Sequence, residues 1–200
     1  MGAKATLYRG MAGALRALDQ RGVRLRYPYP DRLMLEQRIL PAIAGRDDMK
    51  RILMVGCGWY THYYPGLLGD DAEVTTLEID PAKRAFGARR HIVANLTELD
   101  AHFGPGELDA VLCNGVLGWG LNDHDDIERA FGASVTALRG GGLLLLGWND
   151  KAPYNRVSPA DISALQGLEA VTVPGLEAHR VIALPRNQHC FQAFTRPQSN

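Results

Sequence analysis

Cysteine is scarce in this 200-residue chain, which has only Cys57, Cys113 and Cys190. Their spacing matches no metal-ligand pattern, so no bound metal is expected. Each lies in or beside an apolar run, which reads as buried, reduced thiols in a cytoplasmic protein and not as a disulfide framework. Net charge is absent as well: 22 basic residues balance 22 acidic ones. That excludes the broad electrostatic footprint needed to wrap nucleic acid or adsorb to an anionic membrane. No apolar run approaches the length of a membrane-crossing helix, and the N-terminal stretch lacks the apolar core of a secretory signal. Low-complexity and linker-like segments are missing too. What remains is the composition of one enzyme-sized domain with enough apolar content to bury a substantial core.

The chain does contain a glycine turn paired with an acid. Arg51-Ile-Leu-Met-Val-Gly-Cys-Gly-Trp59 is followed about twenty residues on by Val74-Thr-Thr-Leu-Glu-Ile-Asp80. Ile52 to Val55 suits a buried parallel strand, and Gly56 and Gly58 let the backbone turn sharply and approach a ligand. Glu78 closes the second strand, where a carboxylate accepts both ribose hydroxyl protons; Asp80, directly before Pro81, reads better as a helix cap. Dinucleotide folds place a third glycine after this turn so that a helix N-terminus meets the pyrophosphate, but here that position is Thr61. Pro65 fits the first turn of a short helix over 65–68. With no phosphate cradle, the pattern favours a nucleoside cofactor without phosphate, and S-adenosylmethionine fits.

Val55-Gly-Cys-Gly58 and Leu77-Glu-Ile-Asp-Pro81 resemble the first two motifs of the class I S-adenosylmethionine-dependent methyltransferases. Ala94-Asn-Leu96 is similar to the family's adenine-contacting loop. Leu108 to Leu117 and Leu138 to Leu146 resemble its fourth and fifth strands. The resemblance covers roughly residues 50 to 150. It implies methyl transfer from S-adenosylmethionine, with Gly56, Cys57, Gly58, Trp59, Glu78, Ile79, Asn95, Leu96, Asn114 and Gly115 as the cofactor-binding set. One departure is Tyr60, where the family often has another glycine; it bears on the shape of the methionine pocket.

Strands alternating with helices predict an α/β fold: a doubly wound, mostly parallel seven-stranded sheet. A terminal antiparallel pair, His179 to Leu184 with Cys190 to Phe194, closes it. A Rossmann-like core over 47–200 follows an N-terminal helical extension over 1–46, which the resemblance casts as a lid; the alternative is a scaffold that packs on the sheet and stabilises it. In that extension Leu7, Met11, Leu15 and Leu18 mark one helix closed by Gly22. Leu35, Ile39 and Ile43 mark a second, interrupted or ended near Pro41, and Arg26-Tyr-Pro-Tyr-Pro30 between them should be extended. Asp123 or Asn122 caps a long helix with Ile127, Ala130, Phe131, Val135 and Leu138 on its apolar face, ended by Gly140. Ser158-Pro-Ala-Asp161 opens another.

Ligands of such sheets sit at the carboxyl ends of the strands. Tyr27, Tyr60, Trp119, Trp148 and Asn149 are therefore expected to meet the substrate. Methyl transfer is an in-line displacement driven by alignment and desolvation, so a base is optional; for a hydroxyl acceptor, His124, His62 and His189 are the candidates. Amino-methylating enzymes acting on bases or glutamine carry an Asp/Asn-Pro-Pro-aromatic motif after the fourth strand, whereas this chain has Asn114-Gly-Val-Leu117. A small-molecule acceptor is the expectation. The alternatives are a nicotinamide-dependent oxidoreductase and a non-catalytic nucleoside-binding partner protein.

Overall fold

The computed structural model describes residues 2–153 and 155–198. β1 (Arg51–Val55) lies inside a sheet with β2 (Glu73–Glu78) and β3 (Arg90–Val93) on one side and β4 (Leu108–Asn114) and β5 (Leu138–Asn149) on the other. These five run parallel. β8 (His189–Thr195) pairs antiparallel with β5, and its far edge is shared by two short antiparallel strands. β6 (Glu169–Val171) lies against Ala193–Thr195, and β7 (Arg180–Leu184) against His189–Gln192. The doubly wound, mostly parallel sheet is as expected, and among the described residues it has eight strands, one more than the expected seven. The additional strand, β6, is three residues long, too short for alternation to mark it in the sequence.

Strand periodicity divides the core between the two faces. Leu53, Val55, Val111, Cys113, Leu144 and Leu146 point to the face covered by Ile127 and Phe131 of α4 (His124–Ala137). Ile52, Met54, Leu112, Leu143 and Leu145 point to the other face, covered by Leu35, Ile39, Leu40 and Ile43. Those four belong to one helical stretch over 30–44: α2 (Pro30–Met34), a π-helical turn (Leu35–Ile39) and α3 (Leu40–Ala44). The interruption expected near Pro41 is this π turn. Pro41 has no N–H, and the wider turn, in which the Leu40 N–H reaches the Leu35 carbonyl, passes the ring without breaking the helix.

α1 (Ala3–Gln20) ends as expected: Gly22 takes a positive φ of 76°, and the Gly22 and Val23 N–H groups bond the Asp19 and Leu18 carbonyls. Of the expected apolar stripe, Leu15 packs and Leu7 and Met11 do not. Leu7 is 64% exposed and Met11 37%, while Ala12 and Leu15 are buried against Cys57 and Phe86. α4 is capped by Asp123, which accepts the Asp125 and Asp126 N–H groups. It stops at Ala137, not Gly140, because Leu138 is already extended and paired with Leu108. Ser158 caps only a 3-10 turn, Pro159–Asp161. Among the described residues, no helix is long and apolar enough to cross a membrane.

Candidate active site

The turn after β1 depends on Gly56, whose φ of 81° lies in the left-handed region and whose N–H bonds the Leu77 carbonyl at 2.7 Å. Tyr60 answers the question raised by the missing glycine. Its ring folds back over Gly58, so close that a Cβ there would lie 3.4 Å from it. β2 delivers Glu78, 5% exposed, to the same place. Its carboxylate accepts the Cys57 N–H at 3.1 Å, the Asp80 N–H at 3.0 Å and the Lys83 ammonium at 3.2 Å. Asp80 instead accepts the Ala82 N–H at 2.9 Å and pairs with Lys4 at 2.6 Å. That is the arrangement expected of a cap.

A cavity of about 280 Å³ opens between these ends. Gly56, Cys57, Glu78 and Ile79 line it from the first two strands, Asn95 and Leu96 from the loop after β3, and Asn114 and Gly115 from the end of β4. Asn95 holds that loop with a reciprocal capping box to Glu98. Gly58 and Trp59 do not line the cavity: Trp59 packs edge-on against Tyr27 and Tyr60, with centroids 5.8 and 5.6 Å away. Burial beside Glu78 pushes the Cys57 thiol up to about 12, so it stays neutral. A buried acid, a left-handed glycine turn and a pocket reaching the capped loop suit a nucleoside cofactor.

A second cavity of about 560 Å³ adjoins the first, and Arg32, Tyr60, Gly115 and Trp119 line both. Its other wall residues are Tyr27, Tyr29, Asp31, Asn149, Leu184, Arg186, Asn187 and His189. His189 reaches this end because β8 runs antiparallel and starts opposite Asn149, the last residue of β5. Its Nδ1 lies 2.6 Å from Asn149 Oδ1 and its Nε2 is 3.1 Å from the Asn114 amide. Burial holds its pKa down to about 4, against the pull of Asp31. A neutral ring that donates from Nδ1 must accept at Nε2, so Asn114 presents its NH2 there. That orientation also gives its otherwise unpartnered buried nitrogen a partner.

The three candidate histidines are not brought together. His62 is buried, with its ring nitrogens 2.6 Å from the Trp59 carbonyl and 2.8 Å from Asp19, so it ties α1 to the glycine turn. His124 has a 63% exposed side chain beside Asp125 and lines neither cavity. Trp148 also lines neither: it is buried in the core, and its indole N–H donates to Gln192 at 2.8 Å. Asp31, Arg32, Lys83, Arg186 and Asn187 do not follow from the sequence. Tyr29 does, since the 26–30 connector offers both its rings, Tyr27 and Tyr29, to an acceptor pocket. Arg186 and Asn187 had no signal without the pairing of β8.

A family model described as a methyltransferase domain matches residues 53–146. Residues 53–146 therefore form a methyltransferase domain, and the chain is an S-adenosylmethionine-dependent methyltransferase. Its cofactor is S-adenosylmethionine, which displaces the nicotinamide-dependent and non-catalytic alternatives. The fold is shared with the N-methyltransferase NodS from Bradyrhizobium japonicum WM9, solved with S-adenosyl-L-homocysteine. That structure is 16% identical, has a TM-score of 0.67, and the match covers 92% of this chain and 98% of that one. A TehB-like methyltransferase from Corynebacterium glutamicum is 21% identical at a TM-score of 0.60, covering 96% and 98%. A Haemonchus contortus phosphoethanolamine N-methyltransferase, solved with phosphomonomethylethanolamine and S-adenosylhomocysteine, is 13% identical at 0.60, covering 96% of this methyltransferase and 60% of that chain. A search of curated proteins matches nothing.

Proposed function

We propose that this methyltransferase acts on a small molecule held in the second cavity. The observation that carries the reading is the adjacency of the two cavities. A pocket of about 560 Å³, walled by four aromatic rings and six polar or charged side chains, is joined to the first cavity through Arg32, Tyr60, Gly115 and Trp119. That volume is one a small molecule fills. Bound S-adenosylmethionine supplies an activated methyl group. Glu78 would accept hydrogen bonds from the ribose hydroxyls, the Asn95–Leu96 loop would border the adenine, and Tyr60 and Trp119 would exclude water where the two cavities meet. The free, buried cysteines suit a cytoplasmic enzyme.

The test is incubation with S-adenosylmethionine carrying a 13C-methyl group in an extract of the source cells, followed by separation by mass. The label is expected in the low-mass filtrate. Label confined to protein or nucleic acid overturns the reading.

A further inference from the structure

The second cavity contains a carboxylate with no hydrogen bond. Asp31 lies in the first turn of α2, lines the cavity and is 7% exposed. Its Oδ1 is buried without a partner. Its Oδ2 lies 3.8 Å from Arg32 Nε and 4.0 Å from His189 Nε2, both beyond hydrogen-bond reach. A buried carboxylate left without a donor is costly, and a cavity wall is where a ligand can supply the donor. Tyr27, Tyr29, Tyr60 and Trp119 line the same space. Their ring faces favour a cation. Arg32 and Arg186 add positive charge to the same wall; Arg32 lies beside Asp31 and over the Tyr60 ring, 4.9 Å from its centroid.

We propose that the methyl acceptor is an amine and that Asp31 is the catalytic residue that accepts its N–H. This rests on the small-molecule reading above and narrows it. A hydroxyl acceptor is weakly nucleophilic and needs a base near neutrality. The one imidazole on this wall has both nitrogens committed to Asn149 and Asn114, and a pKa held down to about 4 leaves it a weak base at neutral pH. An amine carries its own lone pair. The nitrogen attacks the methyl carbon, and the N–C bond forms as the C–S bond breaks. The sulfur keeps the bonding pair and becomes the neutral thioether of S-adenosylhomocysteine. The nitrogen, now positive, meets the aromatic rings, and its extra proton passes to Asp31 and on to water.

The same 13C label decides between the readings. The methyl carbon of the low-mass product is expected at an N–CH3 chemical shift, and an O–CH3, S–CH3 or C–CH3 shift overturns the amine while leaving the small-molecule reading intact. Label found only in macromolecules overturns the small-molecule reading itself. Asp31→Asn is expected to lower product formation at least about 100-fold with an unchanged S-adenosylhomocysteine-induced melting shift; Asp31→Glu restores part of it. Product formed by D31N at the wild-type rate removes Asp31 from the mechanism. If D31N loses the melting shift, D31E carries that test: wild-type activity in a chain whose carboxylate has moved by one methylene is then the overturning result.

Discussion

Glu78, the acid proposed to meet the cofactor ribose, is also a structural group. The run Val74 to Leu77 and the position of Asp80 before Pro81 favour Glu78 over Asp80, and of the two it is Glu78 that lines the first cavity. The sequence alone implies that its removal would leave the apo fold almost untouched, and the geometry contradicts this. The carboxylate ties the turn after β1 to the turn after β2 through the Cys57 and Asp80 N–H groups, in a buried setting. Glu78→Ala leaves both donors without that acceptor and is expected to lower the unfolding free energy by about 3 kcal/mol in urea titration. Glu78→Gln keeps one acceptor oxygen and is expected to fold better than the alanine variant. It should still bind S-adenosylhomocysteine about 2 to 4 kcal/mol more weakly by calorimetry, because its NH2 meets a ribose hydroxyl where a carboxylate oxygen had been. Wild-type affinity in both variants would remove Glu78 from the cofactor site.

At the scale of elements, the second cavity depends on how closely β4, β5 and β8 approach one another. Gly147 of β5 pairs with Asn114 on one side and Phe191 on the other. A Cβ at Gly147 would run into the Asn114 amide and lie 2.9 Å from the Phe191 ring. Gly147→Ala is expected to cost about 1 to 3 kcal/mol of stability by overpacking. By displacing Asn114 from His189, it should also lower kcat/KM about tenfold or more; a fully stable and active variant would refute this. The elements legible in the sequence were those whose signals are local: the buried run of β1, the acid ending β2, the Asp123 cap and the proline-led turn at Pro65. The misread features were decided by distant partners. Of the α1 stripe, Leu15 packs, with Ala12 beside it, and Leu7 and Met11 stay exposed, because Cys57 and Phe86 lie on the Ala12–Leu15 side. Leu138 leaves α4 because Leu108 claims it for the sheet. Asp31, Arg186 and His189 meet across one cavity only because β8 reverses direction beside β5.

For the whole molecule, the segment over 1–46 does not behave as one appendage. The helical stretch over 30–44 is part of the core, with Leu35, Ile39, Leu40 and Ile43 buried against the sheet. α1 buries only Ala12 and Leu15. It is otherwise held by polar ties: Lys4 to Asp80, Arg16 to the Ala85 carbonyl, and Asp19 to His62. The Lys4 and Arg16 ties are exposed and contribute little to stability, typically under about 1 kcal/mol each, and only the Asp19–His62 tie is part-buried. The connector between them supplies Tyr27 and Tyr29 to the wall of the second cavity. A chain starting at Pro30 is therefore expected to fold, with a melting temperature lower by several degrees, and to keep its melting shift with S-adenosylhomocysteine. It should lose acceptor turnover by about 100-fold or more, because two of the rings that enclose the acceptor are gone. A chain starting at Met49 loses the whole cover of one sheet face and is expected not to unfold cooperatively at all. If the Pro30 chain turns over normally, α1 and its connector are scaffold and not a lid; if it fails to fold, α1 belongs to the core despite its small buried surface.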